Sequence, residues 1–341
     1  MFKAEITGWG IGVPDGVLTN ADLEKIVATN DEWIRSRTGI AERRICSDEE
    51  DVATLSVTAG RKAIEMAGID PMELDLIILA TLTDSQLLPS SASYVQDELG
   101  ARRAGAFDLD TACTGFIASL GVASQFIATG QMKKILVIGC DAVSRIVDYT
   151  DRAQCILFGD GAGAVVVEAG ERGIPMTIYL RNDGSAAGAL TTPSPMGAKS
   201  QIPENRQFLI TMDGPAIFRF AVEAMVDAAH EVCRRSGITL EEFDLVIPHQ
   251  ANLRIIQAAA RSLKIPMEKV YTNVERYGNT SAGSVPIALS EAADAGLIKQ
   301  GDKVLLIGFG AGMSWGGLTL EWTAPTVARR EAEPALAPAH A

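Results

Sequence analysis

The sequence predicts an α/β protein built from two copies of one unit. The first ground is an internal repeat at a constant offset of 169 residues. EMAGIDPMELDLIILAT (65–81) lies over RRSGITLEEFDLVIPHQ (234–250) without a gap, so that Gly68, Asp75, Leu76 and Ile78 meet Gly237, Asp244, Leu245 and Ile247. At the same offset KKILVIG (133–139) meets DKVLLIG (302–308), Thr111 meets Thr280 and Leu120 meets Leu289. Several blocks in one unbroken register mark a duplication. The second ground is the kind of run: LDLIILA, KKILVIG and KVLLIGF are short and apolar throughout, as parallel strands buried on both faces are. The third is size and composition, since 341 residues, 47% hydrophobic, with 32 glycines, suit a large α/β chain with many tight turns.

Each half orders its elements as helix, glycine turn, apolar strand, helix and apolar strand. AGAFDLD reads as a strand feeding the helix TGFIASLGVASQFI. FRFAVEAMVDAAHEVCRRSG (218–237) has helical apolar spacing and closes at Gly237, a C-cap. GWGIGVPDG near the start reads as a turn, a poor dinucleotide fingerprint, and FGDGAGAVVV (158–167) as a glycine-rich turn entering a strand. GFGAGMSWGG (308–317) lacks the lysine of a phosphate loop and reads as a tight turn whose N–H groups could form half an oxyanion hole. Two such halves would stack helices between two sheets. The divisions fall at 1–170 and 171–323, and the Ala/Pro/Glu-rich segment 324–341 reads as a disordered tail.

Charge and cysteine usage narrow the class. Thirty basic against 43 acidic side chains give a net charge of −13 and argue against nucleic acid as a main partner, since phosphate binding needs a basic footprint. Five cysteines, none in a CxxC pair, and three histidines suit neither a disulfide framework nor a structural zinc site. MFKAEITGWGIGVP lacks a basic region followed by a long apolar run, and no apolar run reaches membrane-spanning length. The expectation is a cytoplasmic protein without a membrane partner.

Cys113 sits in DLDTACTGF, between a strand and a helix N-terminus. Unsatisfied N–H groups and the helix dipole there favour a thiolate, the nucleophilic form. Small neighbours, Ala112, Thr114 and Gly115, leave room for a substrate; the competing reading is a buried structural cysteine. His249 follows the apolar run FDLVIP, at the strand end where α/β proteins place their sites, although a backbone carbonyl could equally satisfy it. Asn279 in RYGNTSAGSVPIAL precedes the helix that mirrors the Cys113 helix, where a helix cap is the plain alternative. The repeat pairs Cys113 with Ala282 and His249 with Ala80, so the halves share a scaffold and divide the reactive residues. Such a division points to chemistry.

With these residues in place, the chain resembles the β-ketoacyl-acyl-carrier-protein synthase III family, initiating condensing enzymes of type II fatty-acid synthesis in the thiolase superfamily. The likeness runs over about residues 2–322, through NADLEKIVATNDEWIRSRTGIAERR, TACTGF, DRAQCILFGDGAGA, PHQANLRII, GNTSAGSVPIAL and FGAGMSWG. It implies a thiolase-like, five-layer αβαβα fold, with two mixed or parallel sheets, and a homodimer. It further implies that Cys113 accepts the acyl group of an acyl-CoA and that malonyl-acyl carrier protein then binds. His249 and Asn279 would stabilise the enolate formed on decarboxylation, and the N–H groups of Cys113 and Ala311 would hold the condensation oxyanion. No metal or redox cofactor is implied.

The same resemblance implies contacts for the substrates. Trp33 would stack on the CoA adenine between Arg37 and Arg152, while Gly214, Phe218 and Asn252 would line the pantetheine channel. Arg219, Arg254 and Arg261 would form a basic docking face for the acidic carrier protein, a local patch able to steer a partner despite like net charge. Many relatives carry Phe where SQLLPSS has Leu88, in a segment that enters the partner's acyl pocket. A smaller, flexible residue there would admit primers longer or more branched than acetyl. The alternatives are a sister condensing enzyme of secondary metabolism and, from another class, a cysteine-dependent thioesterase.

Overall fold

The computed structural model describes residues 2–205 and 207–326. Leu76–Ala80 is a wholly buried strand with parallel neighbours on both sides, Gly105–Leu109 and Lys134–Ala142. Asp160–Gly170 and Lys3–Gly12 extend this sheet in antiparallel sense to five strands. In the second sheet Leu245–Pro248 pairs in parallel with Lys303–Gly310, followed by antiparallel Ser314–Glu321 and Thr177–Asn182. Its fifth position is reduced to one parallel bridge between Val246 and Val270. The strand order of the first sheet is therefore repeated in the second, less its edge strand.

Alternation along the strands sorts the layers, because successive side chains of a strand face opposite ways. Leu76 and Ile78 of the first sheet, with Leu245 and Ile247 of the second, face a shared core with Phe116, Leu120, Val285 and Leu289. Those four come from the helices Gly115–Ala128 and Ser284–Asp294, which are buried nearly all round and form the middle layer. Ile77 and Leu79 face outward onto Ala63 and Val95 of the helices Val52–Ala67 and Ser91–Glu98. Val246 and Leu305 face outward onto Met225 and Ile256 of the helices Gly214–Ser236 and Leu253–Leu263. The result is five layers, αβαβα, as the resemblance implied.

Two local expectations need correction. The glycines of GWGIGVPDG lie mostly in the strand Lys3–Gly12 and make no turn there. They let a helix backbone pack directly on that strand: a Cβ on Gly8 would stand 2.1 Å from the Ala63 carbonyl oxygen. The long helix starts four residues before the expected 218, at Gly214, where the Asp213 side chain accepts from the Ala216 N–H and Pro215 suits the first turn. Its end matches expectation, with Gly237 left-handed at φ 74°. The expected tail lies outside the described residues from 327 onward.

Candidate functional site

Both halves enter their central helix through the same unusual turn. Ala112–Thr114 and Ser281–Gly283 are short 3-10 segments leading into the two central helices. Their first residues, Ala112 and Ser281, both take φ 49°, a left-handed conformation that costs energy for residues with a Cβ. They are equivalent under the 169-residue repeat. The two turns abut, and Cys113 Sγ lies 3.4 Å from Ser281 Oγ.

Cys113 is buried, and the burial decides its charge. Removal from water pushes the thiol up to about 12; the Ser281 hydroxyl opposes this and the buried Asp141 carboxylate adds to it. Burial thus opposes the thiolate that the place before a helix N-terminus favours. Gly310, at the end of its strand, lets this strand touch the turn, since a Cβ there would stand 2.8 Å from the Cys113 nitrogen. Ala311, next along, lines the same cavity of about 990 Å³ as Cys113 and Ser281.

The turn from the second half reaches His249 with its other end. His249 Nδ1 lies 2.6 Å from the hydroxyl oxygen of Ser284, while its Nε2 is buried without a protein partner. The Phe309 ring packs edge-on at 5.3 Å. Burial alone lowers the imidazole to about 3, so the ring is neutral at working pH. Asn279 does not cap the central helix. Its Oδ1 accepts from the Ser281 N–H at 2.9 Å, which identifies the oxygen and leaves the NH₂ end of the amide facing away from that bond. Asp141 anchors the assembly, accepting from the Ala282 N–H at 3.0 Å and from the Thr81 and Thr83 hydroxyls. Ser281, Ser284 and Asp141 were not singled out in the sequence; the crowding of hydroxyls in NTSAGS was the available signal.

The expected nucleotide contacts also gather. Asn30 caps the helix Asp31–Thr38 by accepting from the Trp33 N–H, and Ile34 packs it against Cys155 and Phe158. This brings the Arg152 guanidinium 4.5 Å over the Trp33 ring, with Arg37 at 6.0 Å. Asn252 caps the helix Leu253–Leu263 with its Oδ1 and donates from Nδ2 to the Arg37 carbonyl. Both its ends are thus engaged within the chain. Arg254 lies 5.7 Å over Phe218. Gly214 opens the Phe218 helix, with a side from which a Cβ would meet only Met212, at 3.9 Å. Arg219, Arg254 and Arg261 are all exposed. Leu88 is 82% exposed, and it is Leu87 that reaches the cavity of its own chain.

A buried cysteine from one half, linked through the 279–284 turn to a neutral histidine and an amide of the other, suits acyl transfer followed by carbanion chemistry. Duplicated five-layer fold and divided site together define a thiolase-type acyltransferase. The model for 3-oxoacyl-[acyl-carrier-protein] synthase III matches residues 107–190, and that for its C-terminal part matches residues 233–322. The chain is 47% identical over 326 residues to β-ketoacyl-[acyl-carrier-protein] synthase III of Caldanaerobacter subterraneus subsp. tengcongensis, covering 94% of this chain and 98% of that one. It is 45% identical over 325 residues to the enzyme of that name from Roseiflexus sp., covering 94% and 99%. The crystal structure of 3-oxoacyl-[acyl-carrier-protein] synthase III from Aquifex aeolicus VF5 superposes with a TM-score of 0.88 at 46% identity, covering 94% and 100%. The priming β-ketosynthase of the R1128 polyketide pathway superposes with a TM-score of 0.89 at 35% identity, covering 95% and 97%. The chain belongs to the β-ketoacyl-[acyl-carrier-protein] synthase III family.

Proposed function

We propose that this protein catalyses the decarboxylative condensation of an acyl-CoA primer with malonyl-acyl carrier protein, initiating fatty-acid synthesis. Cys113 Sγ attacks the thioester carbonyl, the S–C bond forms as the thiol proton is lost, and CoA leaves as its thiol. Malonyl-acyl carrier protein then loses carbon dioxide, and the enolate oxygen is held by donors from His249 Nε2 and Asn279 Nδ2. The carbanion attacks the acyl carbonyl on Cys113, whose oxyanion is held by the N–H groups of Cys113 and Ala311. Collapse releases 3-ketoacyl-acyl carrier protein and returns Cys113. No metal or redox centre takes part in this scheme. The observation that carries the proposal is the 279–284 turn, which presents Asn279, contacts Cys113 through Ser281 and grips His249 through Ser284.

The remaining contacts follow from the same reading. Trp33, flanked by Arg37 and Arg152, is a platform for the adenine of CoA, with Gly214, Phe218 and Asn252 along the pantetheine. Arg219, Arg254 and Arg261 face the acidic carrier protein. The protein is a cytoplasmic homodimer in which Leu88, exposed on the single chain, enters the partner's acyl cavity and sets primer range. The chain divides at 170/171 into its two thiolase-like halves. Among the described residues no helix is long and apolar enough to cross a membrane. Relatives at 45–47% identity that bear the fatty-acid enzyme's name support this reading over a polyketide role.

Intact-protein mass after incubation with acetyl-, isobutyryl- and hexanoyl-CoA, each followed by malonyl-acyl carrier protein, tests the proposal. The expected result is an adduct on Cys113 that disappears as 3-ketoacyl-acyl carrier protein forms. An adduct lost only to water would replace the condensing reading with a thioesterase.

A further inference from the structure

We infer that Ser284 is a positioning residue that fixes the tautomer of His249, holding the ring with its proton on Nε2. The inference rests on the role proposed above for His249. Ser284 opens the central helix Ser284–Asp294 and is 2% exposed. Its oxygen stands 2.6 Å from His249 Nδ1 and also accepts from the Gln250 N–H at 3.3 Å. Among the described residues the Ser284 side chain makes no other hydrogen bond.

Counting protons separates the two tautomers. If Nδ1 carried the proton it would donate to Ser284, whose oxygen already accepts from Gln250. The single hydroxyl proton would then be buried without an acceptor. If the hydroxyl donates to Nδ1, every group in the chain is paired and Nε2–H alone is left over. Nε2 is the buried atom that has no protein partner. Burial keeps the ring neutral, so one nitrogen and not both carries a proton.

The duplication offers an internal control. Under the 169-residue repeat His249 corresponds to Ala80 and Ser284 to Gly115. Those positions touch in the first half too, where a Cβ on Gly115 would lie 2.9 Å from the Ala80 Cβ. One contact of the scaffold is thus a packed Ala–Gly pair in the cysteine half and a hydrogen-bonded His–Ser pair in the histidine half. With Nε2 as a donor, His249 suits an enolate oxygen. It does not suit a water to be deprotonated, which separates condensation from hydrolysis at this one hydroxyl.

Long-range proton–nitrogen correlation spectra of the whole protein labelled with ¹⁵N-histidine test the inference. Only His230, His249 and His340 contribute, and the His249→Gln spectrum assigns the signal of interest. The expected wild-type spectrum shows a protonated Nε2 and an unprotonated Nδ1 for His249, and Ser284→Ala loses that pattern. In Ser284→Ala, decarboxylation of malonyl-acyl carrier protein should fall about 10–100-fold, the range seen when partners orienting metal-bound histidines are removed. Acylation of Cys113 should persist, and Ser284→Thr, which keeps the hydroxyl, should recover decarboxylation. A wild-type Nδ1–H pattern, or unchanged decarboxylation in Ser284→Ala, overturns the inference. Should Ser284→Ala fail to fold, the wild-type spectrum and Ser284→Thr still decide it. Failure of the underlying reading looks different: His249→Gln itself would then decarboxylate normally, whatever tautomer the spectrum shows.

Discussion

The turns at 112–114 and 281–283 share backbone geometry and differ in everything that reacts. Both start from a residue at φ 49° and both lead into a central helix. One presents a thiol in a tight fit against Gly310; the other presents an alanine at that point and surrounds it with Asn279, Ser281 and Ser284. The difference teaches that duplication supplied a rigid, abutting pair of turns. On the proposed function, chemistry was then divided, a covalent step to one half and enolate stabilisation to the other.

Moving the nucleophile breaks the comparison most severely. Cys113→Ala combined with Ala282→Cys keeps one thiol but puts it on the wrong turn, and no acyl-enzyme should appear by mass. Condensation should drop by on the order of 10³-fold or more, as removal of a nucleophile does. Next come His249→Ala and Asn279→Ala, which should still acylate Cys113 yet lose on the order of 10²–10³ in decarboxylation. Gly310→Ala puts a Cβ 2.8 Å from the Cys113 nitrogen, so about 1–3 kcal/mol of stability should go, with slower acylation, as urea unfolding and single-turnover kinetics can show. A smaller effect belongs to Ser281→Ala. Its hydroxyl lowers the Cys113 pKa, so its loss should move the pH profile of iodoacetamide alkylation upward, by about a unit or less. No upward move would leave Ser281 with a packing role only.

How much of this could be read from the sequence follows the range of the forces involved. The repeat and the apolar runs are local patterns, and they gave the two sheets, the central helices and the Cys113 junction. The strand Lys3–Gly12 was misread because its glycines answer to a helix that approaches from 52–67, a contact no local pattern reports. Cys113 was expected as a thiolate from its place before a helix; burial, which only the tertiary fold creates, pushes the thiol the other way. Ser281 and Ser284 sit in a run that reads as helix-capping chemistry, and only folding aims one at sulfur and the other at imidazole.

The divided site also leaves a mark on acid stability. The folded pKa of His249 is depressed, so below about pH 6.5 the unfolded chain takes up a proton that the native ring refuses. Stability is fully present above about pH 6.5 and declines towards about pH 3, by up to about 1.4 kcal/mol per unit from this group. His249→Gln should flatten that part of the profile. Equal pH slopes between 6.5 and 5 in urea unfolding, for wild type and variant, would contradict the buried neutral ring.

Release of radiolabelled carbon dioxide from malonyl-acyl carrier protein by proteins already acylated on Cys113 tests the division of labour most directly. Wild type should release it rapidly, while His249→Ala and Asn279→Ala remain acylated and release almost none. Normal release by either variant, with the acyl group still on Cys113, would contradict the assignment of the second step to the second half.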